Sequence, residues 1–134
     1  MLRYALFAAA LMVPSAAHSD SGASAGIRIV LNVPEICQIE ASIAPVDPKD
    51  GVARGNVFEM CNSGRGYRVI ASHRSLAVGE AARIDYAGKT SALTRSGLTE
   101  IALRMGPNAK NSPVIVQTEG LRSSLAISLG IMAI

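Results

Sequence analysis

The stretch that decides the fold is Ile27-Arg-Ile-Val-Leu-Asn-Val33, in which every second residue is a large apolar one. Successive side chains of a β-strand point to opposite sides, so Ile27, Ile29, Leu31 and Val33 share one face. Pro34 ends the run, because proline has no N–H to donate to a neighbouring strand. The pattern predicts a β-strand with one buried face.

Strand patterns continue through the rest of the chain, and helix patterns with caps are almost absent. The predicted strands cover residues 36–43, 57–61, 67–72, 83–86, 89–93, 98–105, 114–118 and a closing stretch from residue 125. Residues 44–55 are rich in Pro, Asp and Gly and predict a loop, and Ala87-Gly88 predicts a hairpin turn. Together these patterns predict an all-β, immunoglobulin-like β-sandwich of about seven strands.

Two of these strands carry detailed expectations about which side chains face inward. In 98–105 the alternation predicts Ile101, Leu103 and Met105 inward, with Glu100, Ala102 and Arg104 outward. Residues 57–61 alternate poorly, because Phe58 and Met60 lie on the face opposite Cys61. Either both faces are covered there or a β-bulge resets the register.

The N-terminus predicts export and, with it, a disulfide. Residues 1–17 combine Arg3, a short apolar run and small residues before a cleavage point, which is typical of a Sec signal peptide. A mobile extension over 18–26 and a domain over 27–134 would follow. In an oxidising compartment the two cysteines, Cys37 and Cys61, predict a bridge worth roughly 3 kcal/mol, against the alternative of two buried thiols.

Composition argues against several functions. The net charge of +3 is small and no Lys/Arg run stands out, so nucleic acid is not an expected partner. No apolar run reaches the ~20 residues of a membrane span. The two histidines, His18 and His73, stand in no nucleophile, zinc or phosphate-binding motif, and His73 is expected in a solvent-facing loop. We therefore expect no enzyme activity, metal or cofactor.

Three segments resemble the spore coat U-type domains, which are pilin-like subunits of the archaic chaperone–usher group. The first is 27–37, ending in Cys37, and the second is Val57-Phe-Glu-Met-Cys61-Asn-Ser-Gly-Arg-Gly-Tyr67-Arg-Val69. The third, Leu121-Arg-Ser-Ser-Leu-Ala-Ile-Ser-Leu129, is similar to their closing strand. The chain departs from the family in its sparse middle loops and in Glu119-Gly-Leu-Arg122, where an aromatic and acidic lead-in is common.

The resemblance implies a sandwich that lacks its final strand. A periplasmic chaperone, and then the N-terminal segment of another subunit delivered through an usher, would supply the missing strand by β-augmentation. Ile27, Ile29, Leu31 and Val33 would be the donated side chains, in a homo-polymer displayed at the cell surface. Three alternatives stay open. The same residues form the first strand of their own sandwich, or residues 23–29 are donated and the remainder is kept. The third is a self-contained, exported immunoglobulin-like binding module that does not polymerise.

A basic cluster near the second cysteine is the remaining candidate surface. It comprises Arg65, Arg68 and Arg74, with His73 beside them. Such a cluster either contacts an anionic glycan or lipopolysaccharide, or is a solvated strand face whose charges maintain solubility.

Overall fold

Residues 28–134, which the computed structural model describes, form eight β-strands and no helix. The strands are β1 Cys37–Ile43, β2 Val52–Cys61, β3 Tyr67–His73, β4 Ala81–Tyr86, β5 Lys89–Ala92, β6 Leu98–Arg104, β7 Asn108–Glu119 and β8 Ile127–Ala133. Two antiparallel sheets pack as a sandwich, which confirms the predicted all-β fold. The signal peptide, the extension and Ile27 lie outside the described residues.

The larger sheet has the strand order β1-β2-β7-β4-β5, and the smaller one has the order β6-β3-β8. The large sheet is built on its two longest strands, β2 and β7, which pair along all of β2. The predicted loop over 44–55 is too long at its C-terminal end. Val52 and its successors pair with β7, so the loop ends at Gly51.

The hairpin between β4 and β5 forms where the sequence predicts it. Ala87 and Gly88 have φ angles of 54° and 81°, the left-handed values that a two-residue hairpin turn of this kind requires. The Asp85 carboxylate accepts a hydrogen bond of 3.2 Å from the Gly88 N–H, which stabilises the turn.

A β-bulge in the small sheet overturns the expected facing of 98–105. Ala102 pairs with Val69, whereas the next residue of β3, Ile70, pairs with Glu100, so Ile101 is the extra residue. Ile101 and Ala102 are both buried as a result. The prediction was wrong from Ala102 onward: Leu103 and Met105 are exposed, and Arg104 is partly buried and turned toward the interior.

The core lies between the two sheets and draws its buried side chains from every strand except β1 and β5, with Leu93 directly following β5. β1 contributes the partly buried Cys37, Ile39 and Ile43. Its largest apolar members are Val57, Tyr67, Val69, Ile84, Tyr86, Ile101, Val114, Val116 and Leu125. In β2 the alternation is regular after all, with Val57, Glu59 and Cys61 buried and Phe58 on the other face. The bulge is therefore in β6 rather than β2, and an acidic residue occupies an inward position.

Of the predicted strand over 27–33, the described residues 28–33 form no strand. Residues 28–36 belong to no strand, and β1 begins at Cys37. Pro34 contributes to this result because it has no N–H to continue the β1 ladder. The prediction of a strand was therefore wrong for residues 28–33, and donation or self-pairing of this stretch stays a prediction.

Candidate functional site

The two sheets meet along two flanks, and within residues 28–134 the two flanks are joined in different ways. The covered flank lies between β4–β5 and β6, where residues 93–97 cross from one sheet to the other. The Leu93 N–H bonds the Ala82 carbonyl at 2.9 Å, and the Thr94 N–H bonds Thr99 Oγ1 at 2.8 Å. We call this side the closed flank.

The other flank lies between β1 and β8, the edge strands of the two sheets. These strands run in opposite directions and are joined at one end, where Val46 and Leu125 form an isolated bridge with N···O distances of 2.8 and 3.0 Å. Beyond that bridge, β8 has a pairing partner only on its β3 side within residues 28–134. We call this side the open flank.

The interior becomes progressively more accessible along the open flank. Leu125 and Ile127 are buried beside the bridge, Leu129 and Ile131 are half-buried, and Ala133 at the far end of β8 is exposed. Across the flank, Ile39 and Ile43 of β1 are also half-buried against the core. We call the strip of partly buried apolar side chains along this flank the groove; it comprises Ile39, Ile43, Leu129 and Ile131. Its more exposed end lies toward Cys37 of β1. β1 and β8 lie close together along it, so a strand added there would have to move them apart.

The disulfide fixes the open end of this groove. Cys37 and Cys61 are directly opposite each other in the β1–β2 ladder, with their Cα atoms 4.0 Å apart, and they form the predicted bridge. The bond ties the edge strand β1 to its neighbour β2. One wall of the groove is therefore held in place covalently.

The segment before β1, residues 27–33, is here called the arm. Ile29 and Leu31 are 83% and 81% exposed, and Val33 is also exposed. Ile27, the fourth predicted donor residue, lies outside the described residues. Large apolar side chains this exposed lose the free energy that burial would return, roughly 1.5–3 kcal/mol each.

Asn62 holds the joint between the arm and β1. Its Oδ1 accepts a hydrogen bond from the Ile36 N–H at 2.6 Å, and its Nδ2 donates one to the Pro34 carbonyl at 2.8 Å. Its backbone N–H also donates to the Ile36 carbonyl at 3.1 Å. Asn62 thus bonds the backbone on both sides of Glu35, at Pro34 and at Ile36. The sequence analysis missed it, although an Asn directly after a strand-ending Cys is a residue type that often bonds nearby backbone.

The predicted basic cluster separates into residues with different surroundings. Arg65 is exposed in the turn after Asn62. Arg68 faces outward from β3, as expected, and lies 3.5 Å from Glu100 of β6. Arg74 turns instead to Glu80 and to the carbonyls of the β7–β8 connection, so the three arginines do not form one free basic surface.

Arg74 and Glu80 form a buried clamp near the bridged end of the open flank. Arg74 donates two hydrogen bonds, of 2.7 and 2.9 Å, to the two oxygens of Glu80. The backbone N–H groups of Ala77 and Arg122 donate to the same carboxylate at 2.8 Å. Hydrogen bonding from Arg74, followed by these backbone donors, lowers the pKa of Glu80 to about 2.

His73 is not in a solvent-facing loop as predicted. It is the last residue of β3 and is partly buried, and its Nδ1 lies 2.6 Å from the Arg74 carbonyl. This contact makes it part of the β3 terminus.

A second buried ion pair links the sheets on the inside. Glu59 of β2 is fully buried, and its Oε1 accepts hydrogen bonds from Arg104 Nε at 3.1 Å and Asn108 Nδ2 at 3.3 Å. Arg104 also lies 5.5 Å from the centre of the Tyr86 ring, within the range of a cation–π contact. Burial, and then the neighbouring Glu59 carboxylate, raises the pKa of Tyr86.

Sequence reasoning missed this pair because Arg104 is turned inward only by the bulge. Glu59 was detectable, since it shares the parity of Val57 and Cys61 in β2. Within residues 28–134 no three His, Cys, Asp or Glu side chains lie close enough to hold a metal ion. The same part of the chain contains no helix long and apolar enough to cross a membrane.

Comparison of the chain with protein-family models, with curated proteins and with solved structures finds no match. The functional argument therefore starts from the two features described above, the apolar groove and the exposed arm.

Proposed function

We propose that this protein is an exported structural subunit that assembles by strand donation, in which the arm of one copy fills the open-flank groove of another. The observation that carries the proposal is the free edge of β8 beside half-buried Leu129 and Ile131. An edge strand with exposed backbone groups and apolar neighbours is a template for pairing with an added strand.

The arm matches the groove in length and in spacing. Residues 27–33 and β8 are both seven residues long, which corresponds to roughly 20 Å of extended chain. Ile29, Leu31 and Val33 recur at every second position, so one face of an added strand would carry all of them inward. Arg28, Val30 and Asn32 would then face solvent.

The proposal also includes the assembly partners and the cellular compartment. A subunit with an open apolar groove needs a temporary occupant before assembly, which fits the chaperone and usher that the resemblance implies. The Cys37–Cys61 bond is weakly consistent with an oxidising compartment, and the sequence of residues 1–17 fits export. Display at the cell surface as a homo-polymer follows as part of the proposal.

The first test is the mass of the chain after export to a bacterial periplasm without partners, with and without a peptide covering residues 23–33. Light scattering behind size exclusion gives the mass directly. We expect aggregates or heat-sensitive ladders alone and monomers with the peptide. A stable monomer that ignores the peptide would instead indicate the self-contained binding module and would end the strand-donation proposal.

A pair of matched arm variants makes the test specific. Ile29→Asp places a charge on the face that enters the groove, whereas Val30→Asp places the same charge on the adjacent, outward face. Both residues are exposed, so neither change disturbs the core. We expect Ile29→Asp to abolish assembly and Val30→Asp to leave it nearly unchanged; equal effects would show that period-2 insertion is not the mechanism.

A corresponding pair tests the acceptor strand. Ile131→Asp changes a half-buried side chain that lines the groove, and Met132→Asp changes its exposed neighbour on the outer face. We expect the first to lose peptide binding and the second to keep it. Circular dichroism of both variants checks that the sandwich remains folded.

A further inference from the structure

The outer face of the large sheet carries the one exposed aromatic ring within residues 28–134. The aromatic residues of this part of the chain are Phe58, Tyr67 and Tyr86, and both tyrosines are buried in the core. Phe58 lies in the second half of β2, points away from the core and is 36% exposed. Strand donation would use the arm and the edge of β8, so this ring has no part in the proposed function.

Polar side chains surround the Phe58 ring on three strands. β2 lies between β1 and β7, and Phe58 pairs with Glu40 on one side and with Asn111 on the other. The Cβ atoms of residues paired in this way stand about 4.5–5.5 Å apart. Asn56 precedes Phe58 by two residues in β2, on the same face and roughly 7 Å away. Hydrogen-bonding groups therefore flank the ring in three directions.

These residues line a single shallow depression of about 340 Å³. Its lining residues come from the two neighbouring strands of β2 and from β2 itself, and they are Glu40, Ala41, Ser42, Asn56, Phe58 and Asn111. Pockets for small ligands measure about 300–1,000 Å³, so this one suits a single small ring. The side chains of its four polar residues are exposed, and none of the side-chain hydrogen bonds or ion pairs within residues 28–134 involves them.

The mixture of groups in the depression indicates the chemistry of its ligand. An amide both donates and accepts hydrogen bonds, a hydroxyl does the same, and a carboxylate accepts them, which together suit a ligand rich in hydroxyl groups. The face of an aromatic ring is negative and attracts C–H groups. A sugar ring offers both, with C–H groups on its faces and hydroxyls around its rim. Neither Lys nor Arg lines the depression, and Glu40 is acidic, so an anionic ligand is disfavoured.

We propose that Phe58 and the polar side chains around it bind one ring of a neutral saccharide. The sugar stacks its C–H face on Phe58, while Asn56, Asn111 and Glu40 bond hydroxyls at its rim. This inference goes beyond the proposed function and does not depend on it. If the subunits also polymerise, the site recurs in every copy, and many weak contacts with one glycan surface then add up to strong attachment.

The experiment is saturation-transfer NMR on the full-length exported chain, with titrations to obtain dissociation constants. The neutral probes are maltotriose, mannotriose, galactotriose and chitotriose, and trigalacturonic acid is the anionic comparison. Because the signals observed are those of the sugar, the method works on monomers and on assemblies. Phe58→Tyr keeps the ring, Phe58→Leu keeps an apolar side chain without a ring, and Asn111→Ala removes one amide. Gln117→Ala is the control, since Gln117 is another exposed amide of β7 that lies outside the depression.

We expect at least one neutral trisaccharide to bind, with the strongest transfer to C–H protons on one face of a ring. Phe58→Leu should weaken binding about tenfold or more, as expected for truncation of an aromatic contact at the centre of a site. Asn111→Ala should weaken it roughly threefold to tenfold. Phe58→Tyr and Gln117→Ala should bind like the unchanged chain, and trigalacturonic acid should bind more weakly than galactotriose.

Three results would overturn the inference. The first is that no neutral trisaccharide gives a transfer signal, or that trigalacturonic acid binds best. The second is that Phe58→Leu binds sugar as well as the unchanged chain, since stacking is then not the contact. The third is that Phe58→Leu changes the mass of assemblies in light scattering and leaves sugar binding intact, which would make this face a contact between copies. Circular dichroism checks that each variant is folded, and strand donation is tested separately by the peptide of residues 23–33.

Discussion

The two flanks of this sandwich differ in which chain segments lie across them. On the closed flank, residues 93–97 cross between the sheets, and Leu93, Ile101 and Ala102 are buried. On the open flank no segment within residues 28–134 crosses β1 and β8 beyond Val46 and Leu125, and Leu129 and Ile131 stay half-buried. Burial of an inward side chain therefore depends on what covers the flank as well as on strand alternation.

The difference also separates stability from assembly. The polar tie between Glu59 and Arg104 lies inside the sandwich and joins β2 of one sheet to β6 of the other. The open flank has the disulfide at one end and the Arg74–Glu80 clamp near the other, with apolar side chains between them. We expect changes to the inner tie to destabilise the fold, and changes in the groove to affect association.

The largest expected effect on stability comes from breaking the inner tie. Arg104→Met leaves the buried Glu59 carboxylate without its cation, and such a loss costs about 3–5 kcal/mol in the free energy of unfolding. Urea unfolding measures it, with the exposed Arg83→Met as the matched control. Adding Glu59→Leu to Arg104→Met should recover most of the loss, since no unpaired charge remains. Equal free energies of unfolding for Arg104→Met and Arg83→Met would contradict this account.

The next largest effect on stability should come from removing the disulfide that holds β1. Cys37→Ala/Cys61→Ala opens a loop with a sequence separation of 24 residues, which costs roughly 3 kcal/mol. Urea unfolding of the unchanged chain with and without reductant should show the same difference, whereas the double variant should not respond to reductant. A loss below about 1 kcal/mol would mean that the ladder alone holds β1.

A pH-dependent effect should follow from the clamp near the bridged end. The pKa of Glu80 is lowered from 4.5 to about 2 in the folded protein, so its contribution to stability is complete above about pH 4.5. It is lost as the pH falls from there toward 2, because protonation then removes the charge that Arg74 pairs with.

Glu80→Gln should therefore unfold at a temperature roughly 5–10 °C lower at pH 7, with a smaller difference from the unchanged chain near pH 2. Thermal unfolding followed by circular dichroism at several pH values measures this. Glu40→Gln, on the exposed face of β1, is the matched control and should follow the unchanged chain. A difference that stays constant from pH 7 to pH 2 would show that the Glu80 charge is not the cause.

The smallest expected effect is on the outer face of the small sheet. Arg68 and Glu100 are about half exposed and lie 3.5 Å apart, and exposed pairs of this kind contribute about 0–1 kcal/mol. Arg68→Ala should change the free energy of unfolding by less than about 0.5 kcal/mol and leave peptide binding intact. A larger effect on binding would place an interaction surface on this face instead of in the groove.

Much of the fold was accessible from local patterns. Alternation and turn residues located most of the strands, the 87–88 hairpin and the inward face of β8, because each depends on a few consecutive residues. The cysteine count and the export signal predicted the Cys37–Cys61 bond in the same way. The facing of Leu103, Ala102 and Arg104 was missed, because a bulge is one residue in a pairing with a distant strand.

The candidate site also has some features that local sequence patterns predict and others that depend on tertiary packing. The sequence by itself determined the alternation of large apolar residues over 27–33, which predicts a strand with one apolar face. Only the tertiary structure decided that residues 28–36 form no strand, that β8 is an edge strand of its sheet and that Asn62 bonds the backbone on both sides of Glu35. Those features depend on which strands become neighbours, and neighbours far apart in the chain are chosen by packing of the whole core.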